Sequence, residues 1–144
     1  MSTEENKAVV VRYYKEVMEQ GNVELLEDIY APDGYPPDSW GTVENWKNAV
    51  LWYRKHCPGF KANLPDVMAE GDRVIVHVQF DLTYSVLVDP SEPPPDLPLG
   101  KPLSWHNFEM FRLVNGKIVF ARALFPSMMD ALVEAGVYKR EVIV

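Results

Sequence analysis

Two apolar runs, Phe108–Val114 and Ile118–Leu124, flank the dipeptide Asn115-Gly116. Both residues of that pair tolerate the positive φ that a two-residue turn needs, so the segment reads as a β-hairpin. Few features constrain a fold more, because a hairpin commits its flanks to an antiparallel sheet. Polar and charged side chains interrupt this ribbon at His106, Glu109 and Arg122.

Upstream, the period is helical. Ala8, Val9, Val11, Tyr14, Val17 and Met18 recur at helical spacing, which predicts a helix over Glu4–Gln20 with Thr3 as N-cap, ended by Gly21-Asn22. Asn22 then caps an expected second helix, Val23–Tyr30, with Leu25, Leu26 and Ile29 buried and Pro32 stopping it. Gly34–Gly41 reads as a loop. A third helix is expected over Val43–His56, closed by Pro58-Gly59. From Phe60 the period changes to two. Phe60–Glu70 reads as a strand broken near Pro65, and Arg73–Val86 as a long one. In the latter, Val74, Val76, Val78, Phe80, Leu82 and Tyr84 share one face, while Ile75, His77, Gln79, Asp81 and Thr83 share the other. Asp89–Pro102 carries half of the chain's 12 prolines and reads as a stiff surface loop. A last helix is expected over Ser127–Ala135.

Helices first and an antiparallel meander after them spell an α+β domain, with helices packed on one face of a curved sheet. At 144 residues the chain fits a single domain, 1–144, that can bury one core. Net charge of -7 without a basic run speaks against nucleic acid and against anionic membrane surfaces. Cys57 is the only cysteine, which excludes an intrachain disulfide and fits a reducing compartment. The polar, acidic start lacks the features of a secretory signal, and no apolar run is long enough for a membrane helix. The expectation is a cytoplasmic protein.

Three stretches, NKAVVVRYYKEVMEQGNVELLEDIYAPDG, AEGDRVIVHVQFD and GKPLSWHNFEMFRLVNGKIV, resemble, in order and spacing, the SnoaL-like polyketide-cyclase branch of the nuclear transport factor 2-like superfamily. The resemblance implies a cone-shaped α+β barrel whose N-terminal helices close an internal pocket, and a homodimer formed by packing sheet on sheet. It implies a hydrophobic small-molecule ligand and neither metal nor organic cofactor. Members include cyclases, epoxide hydrolases, isomerases, dehydratases and non-catalytic binders. Two departures stand out. Phe120, Arg122 and Pro126-Ser127 occupy the neighbourhood where relatives place acids, and Gly34-Tyr35-Pro36-Pro37 stands where they often carry a histidine or aspartate.

Among residues able to do chemistry, His106 leads, because imidazole exchanges protons near neutral pH. Alternation groups it with Phe108 and Met110, a face that would have to point inward. Arg122 is a permanent cation on an apolar strand, suited to an enolate or a carboxylate, or to an ion pair with Glu109 across the hairpin. Glu109 lies on the opposite pleat from His106, so one of the two is structural; His106 is preferred. Tyr84 offers a phenol at the end of the apolar face. Tyr35, Trp40, Phe120 and Phe125 are candidate pocket walls, whereas Trp52 reads as core. His77 is expected outside or at a dimer interface. The histidines and Cys57 form no metal-ligand spacing, and Cys57 reads as a bland thiol. Three functions follow: a general acid–base cyclase, isomerase or epoxide hydrolase acting on a hydrophobic oxygenated metabolite, a binding or dimerising protein that has kept the cone and lost the chemistry, or an interaction protein using the exposed sheet.

Overall fold

In a computed structural model, residues 1–36, 42–85, 100–124 and 136 are described. The expected last helix, most of the Pro-rich loop, Trp40 and Phe125 lie outside them.

Helix α1 (Thr3–Arg12) continues into a wider π-helical segment, Tyr13–Glu19. Its cap is Ser2 rather than Thr3. The Ser2 hydroxyl accepts from the Glu5 amide and the Glu5 carboxylate accepts from the Ser2 amide at 2.6 Å, a reciprocal capping box. Val10, Tyr13, Tyr14, Val17 and Met18 are buried along one stripe. The segment after it is shorter than expected: a 3₁₀ turn, Val23–Leu25, leads into one turn of helix, α2 (Leu26–Ile29). Asn22 makes no side-chain cap there, and Val23 rather than Leu25 is fully buried. The chain then extends as β1 (Tyr30–Tyr35), taking Pro32 into an edge strand, where a missing N–H is tolerated. Helix α3 (Val43–His56) has the expected bounds, with the Thr42 hydroxyl accepting from the Asn45 amide at its start.

Strands β2 (Lys61–Glu70), β3 (Arg73–Thr83), β4 (Pro102–Val114) and β5 (Lys117–Leu124) complete a five-stranded sheet in the order β1-β5-β4-β3-β2. The register of β2 shifts between Asn63 and Asp66, around Pro65. The sheet is mixed, because β1 runs parallel to β5, and it does not close into a barrel, since β1 and β2 remain at its edges. At the hairpin, Asn115 and Gly116 both take positive φ, 49° and 75°.

One face of the sheet carries the helices. On β3 every even-numbered residue from Val74 to Leu82 is buried, as is Tyr84 just past its end. Antiparallel pairing sets Val74 against Phe111, Val76 against Glu109, Val78 against Asn107, Phe80 against Trp105 and Leu82 against Leu103. Those β4 residues therefore face inward, since directly opposed residues project to the same side. The π-helical segment is pinned above them by the Glu19 carboxylate, which accepts from the Ala62 amide at 2.8 Å and from Lys15 Nζ at 3.0 Å. Trp52 departs from expectation: it is 37% exposed and stacks on His56 at 4.3 Å rather than filling the core.

Candidate active site

The register that buries Glu109 turns His106 outward. His106, Phe108 and Met110 share the outer face of β4, and Phe108 is 51% exposed. The preference for His106 as the interior group is thus overturned, and of the two pleats it is Glu109's that faces the core. Arg122 lies opposite Met110, on the same outer face, while Ala123 lies opposite Glu109. The ion pair between Arg122 and Glu109 across the hairpin does not form, because the two side chains leave opposite faces of the sheet.

Phe120 is also displaced. The partners Arg112–Phe120 and Leu113–Ile118 leave Val119 as an extra residue, a bulge that puts Ile118, Ala121 and Ala123 inside and Phe120 on the outer row beside Arg112. Tyr84 is buried, and burial holds its phenol in the neutral form well above the ordinary range. It stands far from Glu109, however. From Val76, opposite Glu109, to Tyr84 is eight residues of β3, roughly 26 Å at about 3.3 Å each. Tyr84 belongs to a cluster at the end of α3 with Trp52, whose ring lies 6.1 Å away. In the same region Cys57 is fully buried, its thiol pushed up to about 11 by burial, which suits an inert side chain. Tyr35 lies on β1, paired with Phe120.

What the structure brings together is a carboxylate among aromatic rings. Glu109 is 5% exposed. One of its oxygens accepts a short hydrogen bond from the Tyr14 hydroxyl, and the other accepts from Asn107 Nδ2 at 3.3 Å. A buried carboxylate is tolerable only when such donors satisfy it. The aromatic wall is continuous: Tyr13 and Tyr14 meet Phe111 edge-on at 5.6 and 6.0 Å, and Phe80 lies 5.4 Å from Trp105. Burial and then the negative charge of Glu109 hold the phenols of Tyr14 and Tyr30 well above their ordinary range, so both remain proton donors. The Trp105 indole N–H is buried with no acceptor among the described residues, a donor suited to an oxygen atom.

Sequence reasoning placed Tyr14 in a helical stripe and did not single out Asn107, Tyr30 or Trp105. The available signal was the i, i+2 spacing of Asn107 and Glu109, two polar groups on one face of a strand whose neighbours on that face are Leu103, Trp105, Phe111 and Leu113. Among the described residues, no group of three or more His, Cys, Asp or Glu is placed to hold a metal ion, and no helix is long and apolar enough to cross a membrane.

A sequence model described as SnoaL-like polyketide cyclase matches residues 8–129. No curated protein matches the chain. Among solved structures, the fold is similar to that of AclR from Streptomyces galilaeus, described as a suggested hydroxylase, at TM-score 0.75 and 21% identity over 96% of this chain and 89% of that one. It is similar to IdmH from Streptomyces antibioticus, described as a suggested polyketide cyclase, at TM-score 0.69 and 21% identity over 92% and 99% of the two chains. An LEH-like epoxide hydrolase of M. tuberculosis aligns at TM-score 0.69 and 14% identity, covering 94% of this chain and 89% of its own.

Proposed function

The chain belongs to the SnoaL-like polyketide cyclase family, and from that premise we propose that it is a cofactor-independent acid–base enzyme acting on a hydrophobic, oxygenated small molecule. The observation that carries this reading is the buried Glu109, held by Tyr14 and Asn107 inside an aromatic core. A core gains no stability from a carboxylate that an apolar residue of similar volume would replace. Its retention there fits a group whose work is to move a proton.

The roles follow from the donor inventory. Glu109 takes a proton from a carbon or oxygen of the substrate and returns it at the end of the step. Tyr14, already donating to Glu109, steadies its charged form, while Asn107 fixes its orientation. Charge that develops on a substrate oxygen meets donors kept neutral by burial, with the buried Trp105 N–H two rows along the same face. The aromatic wall folds a flexible substrate into one reactive shape, and such positioning supplies several kcal/mol of a barrier. Cyclisation and isomerisation both run on this outline, as does epoxide opening.

Proton exchange at the α-carbon of a hydrophobic ketone tests the reading without knowledge of the native substrate. With 2-tetralone in deuterated buffer, wild-type protein is expected to accelerate exchange, followed by proton NMR, and Glu109→Gln to lower the rate about 100-fold or more. Binding of 2-naphthol by both proteins, with no exchange by either, would instead establish the alternative of a ligand-binding protein that has lost the chemistry.

We further propose that a second copy covers the outer face of the sheet. Met68, Ile75 and Phe108 are exposed there, and the register makes them neighbours, with Met110 between Ile75 and the β5 side. Asp66 and Glu70 stand on the β2 side and Arg122 on the β5 side. A two-fold axis running along the strands through the Ile75–Met110 centre would bring the acidic β2 side of one copy over the Arg122 side of the other.

A further inference from the structure

The same outer face holds a polar relay that the interior reading leaves unused. His77 on β3 and His106 on β4 stand diagonal to one another, with His77 Nε2 2.8 Å from His106 Nδ1. His77 Nδ1 lies 3.0 Å from Asp66 Oδ2, on β2. Phe108, directly opposite His77, stacks on its ring with centroids 4.9 Å apart and planes 13° from parallel. The ring of His106 is 4.9 Å from that of His77.

A hydrogen bond between two imidazoles needs one nitrogen that carries a proton and one that does not. Asp66 can only accept, so His77 keeps a proton on Nδ1, and its Nε2 shares a single proton with His106 Nδ1. Two charge states satisfy this: both rings neutral, or one added proton, with the shared hydrogen on either facing nitrogen so that His77 or His106 is the cation. With a second added proton, both facing nitrogens carry hydrogen and both rings carry positive charge, so the contact must open.

We propose that Asp66, His77 and His106 form a proton-operated latch on the outer sheet face, which keeps that face fit for a second copy while it holds at most one added proton and disrupts it on taking up another. This rests on the reading that a second copy covers the face. Charged groups stand around the latch: Asp66 from β2, beside His77 Nδ1, and Arg122 from β5, opposite Met110. Asp81, further along β3, is engaged by Asn63 and Gln79 at 2.8 and 3.2 Å. The latch borders Phe108 and Ile75, so an extra charge would be carried into an apolar contact, where it is poorly solvated. A two-fold axis doubles it. Opening also removes the His77 ring from Phe108 and changes the shape of the surface. Imidazoles titrate between about pH 5 and 8, and two in contact do so in coupled steps.

Sedimentation velocity on the full chain at about pH 8 and about pH 5.5, with circular dichroism at both, tests the latch. Wild-type protein is expected to associate at the higher pH and to show a dissociation constant about tenfold or more weaker at the lower, its fold unchanged. His106→Gln keeps a hydrogen-bonding partner for His77 and removes the second titrating ring, so its association is expected to be equally strong at both pH values. Wild-type association that ignores pH, or a His106→Gln variant that weakens in acid as wild type does, overturns the latch and leaves the second copy standing. A wild-type chain that is monomeric at both pH values overturns the two together. Should His106→Gln fail to fold, NMR titration of the wild-type imidazoles decides: coupled steps are expected, and two independent single-site curves overturn the latch.

Discussion

The two faces of β4 differ by one residue of phase and by their whole chemistry. Glu109 and Asn107 point inward and lie at or below 5% exposure, with Tyr14 completing their hydrogen bonds. His106 and Phe108 point outward beside His77 and Asp66. Both faces hold aromatic rings and ionisable groups in contact. The inner face keeps its carboxylate by burying it among hydrogen-bond donors. The outer face keeps its imidazoles where solvent can change their proton count. The same pairing of aromatic and ionisable side chains underlies the chemistry proposed for one side of the sheet and the latch proposed for the other, and solvent access makes the difference.

The sharpest way to break this comparison is to remove one phenylalanine from each face. Phe111→Ala empties a fully buried site against Tyr13 and Tyr14 and is expected to lower stability by about 3–5 kcal/mol in chemical denaturation. Phe108→Ala, on the half-exposed outer row, is expected to change the stability of the monomer by only about 0.5 kcal/mol. Comparable losses at the two positions would mean that the assigned phase of β4 is wrong.

A smaller effect tests the donor that satisfies Glu109. Tyr14→Phe keeps the ring and deletes the hydroxyl, leaving the buried carboxylate one partner short, and is expected to cost about 1–3 kcal/mol by the same measurement. No loss would mean that water or another group replaces the phenol and that the interior is wet.

The smallest effect is a drift with alkali. Burial raises the Cys57 thiol from 9.0 to about 11 and raises Tyr14 and Tyr30 above 10.0. Each group is neutral in the folded chain at a pH where the unfolded chain has already lost the proton. Their contribution is therefore whole below about pH 9 and falls as pH rises toward the folded values. The melting temperature is expected to hold between about pH 7 and 8.5 and to fall steadily above it, and a Cys57→Ala variant is expected to start its decline later. A melting temperature that stays flat to about pH 11 would contradict burial of these groups.

Much of the fold was legible because its signals are local. The bounds of α3, the turn at Asn115-Gly116, the irregularity at Pro65 and the buried row of β3 all follow from period and turn chemistry. Short-range reasoning failed where tertiary pairing overrode it. The residues after Ile29 turn into a strand because β5 offers them a parallel partner, despite Pro32. Ser2 takes the cap because Glu5 closes the box, a pattern present in the sequence one residue earlier than Thr3.

The site was less legible. Alternation on β4 separates Trp105, Asn107, Glu109 and Phe111 from His106, Phe108, Met110 and Arg112, yet each set mixes apolar and polar side chains. The position of Arg112 in the second set was the available hint that it faces water, and Arg112 indeed pairs with Asp72 at 2.7 Å on the surface. The connection between β3 and β4 is long and rich in proline, so its length does not set the register as the two-residue turn sets that of β4 and β5.

By itself, then, the sequence determined the bounds of α3, the hairpin turn, the alternation along β3 and the family to which the chain belongs. Each of these is written in neighbours along the chain. Only the tertiary structure decided that Glu109 lies in the core under Tyr14 and that His106 meets His77 outside. A strand's period of two fixes which residues share a face but carries no information about which face the helices will cover.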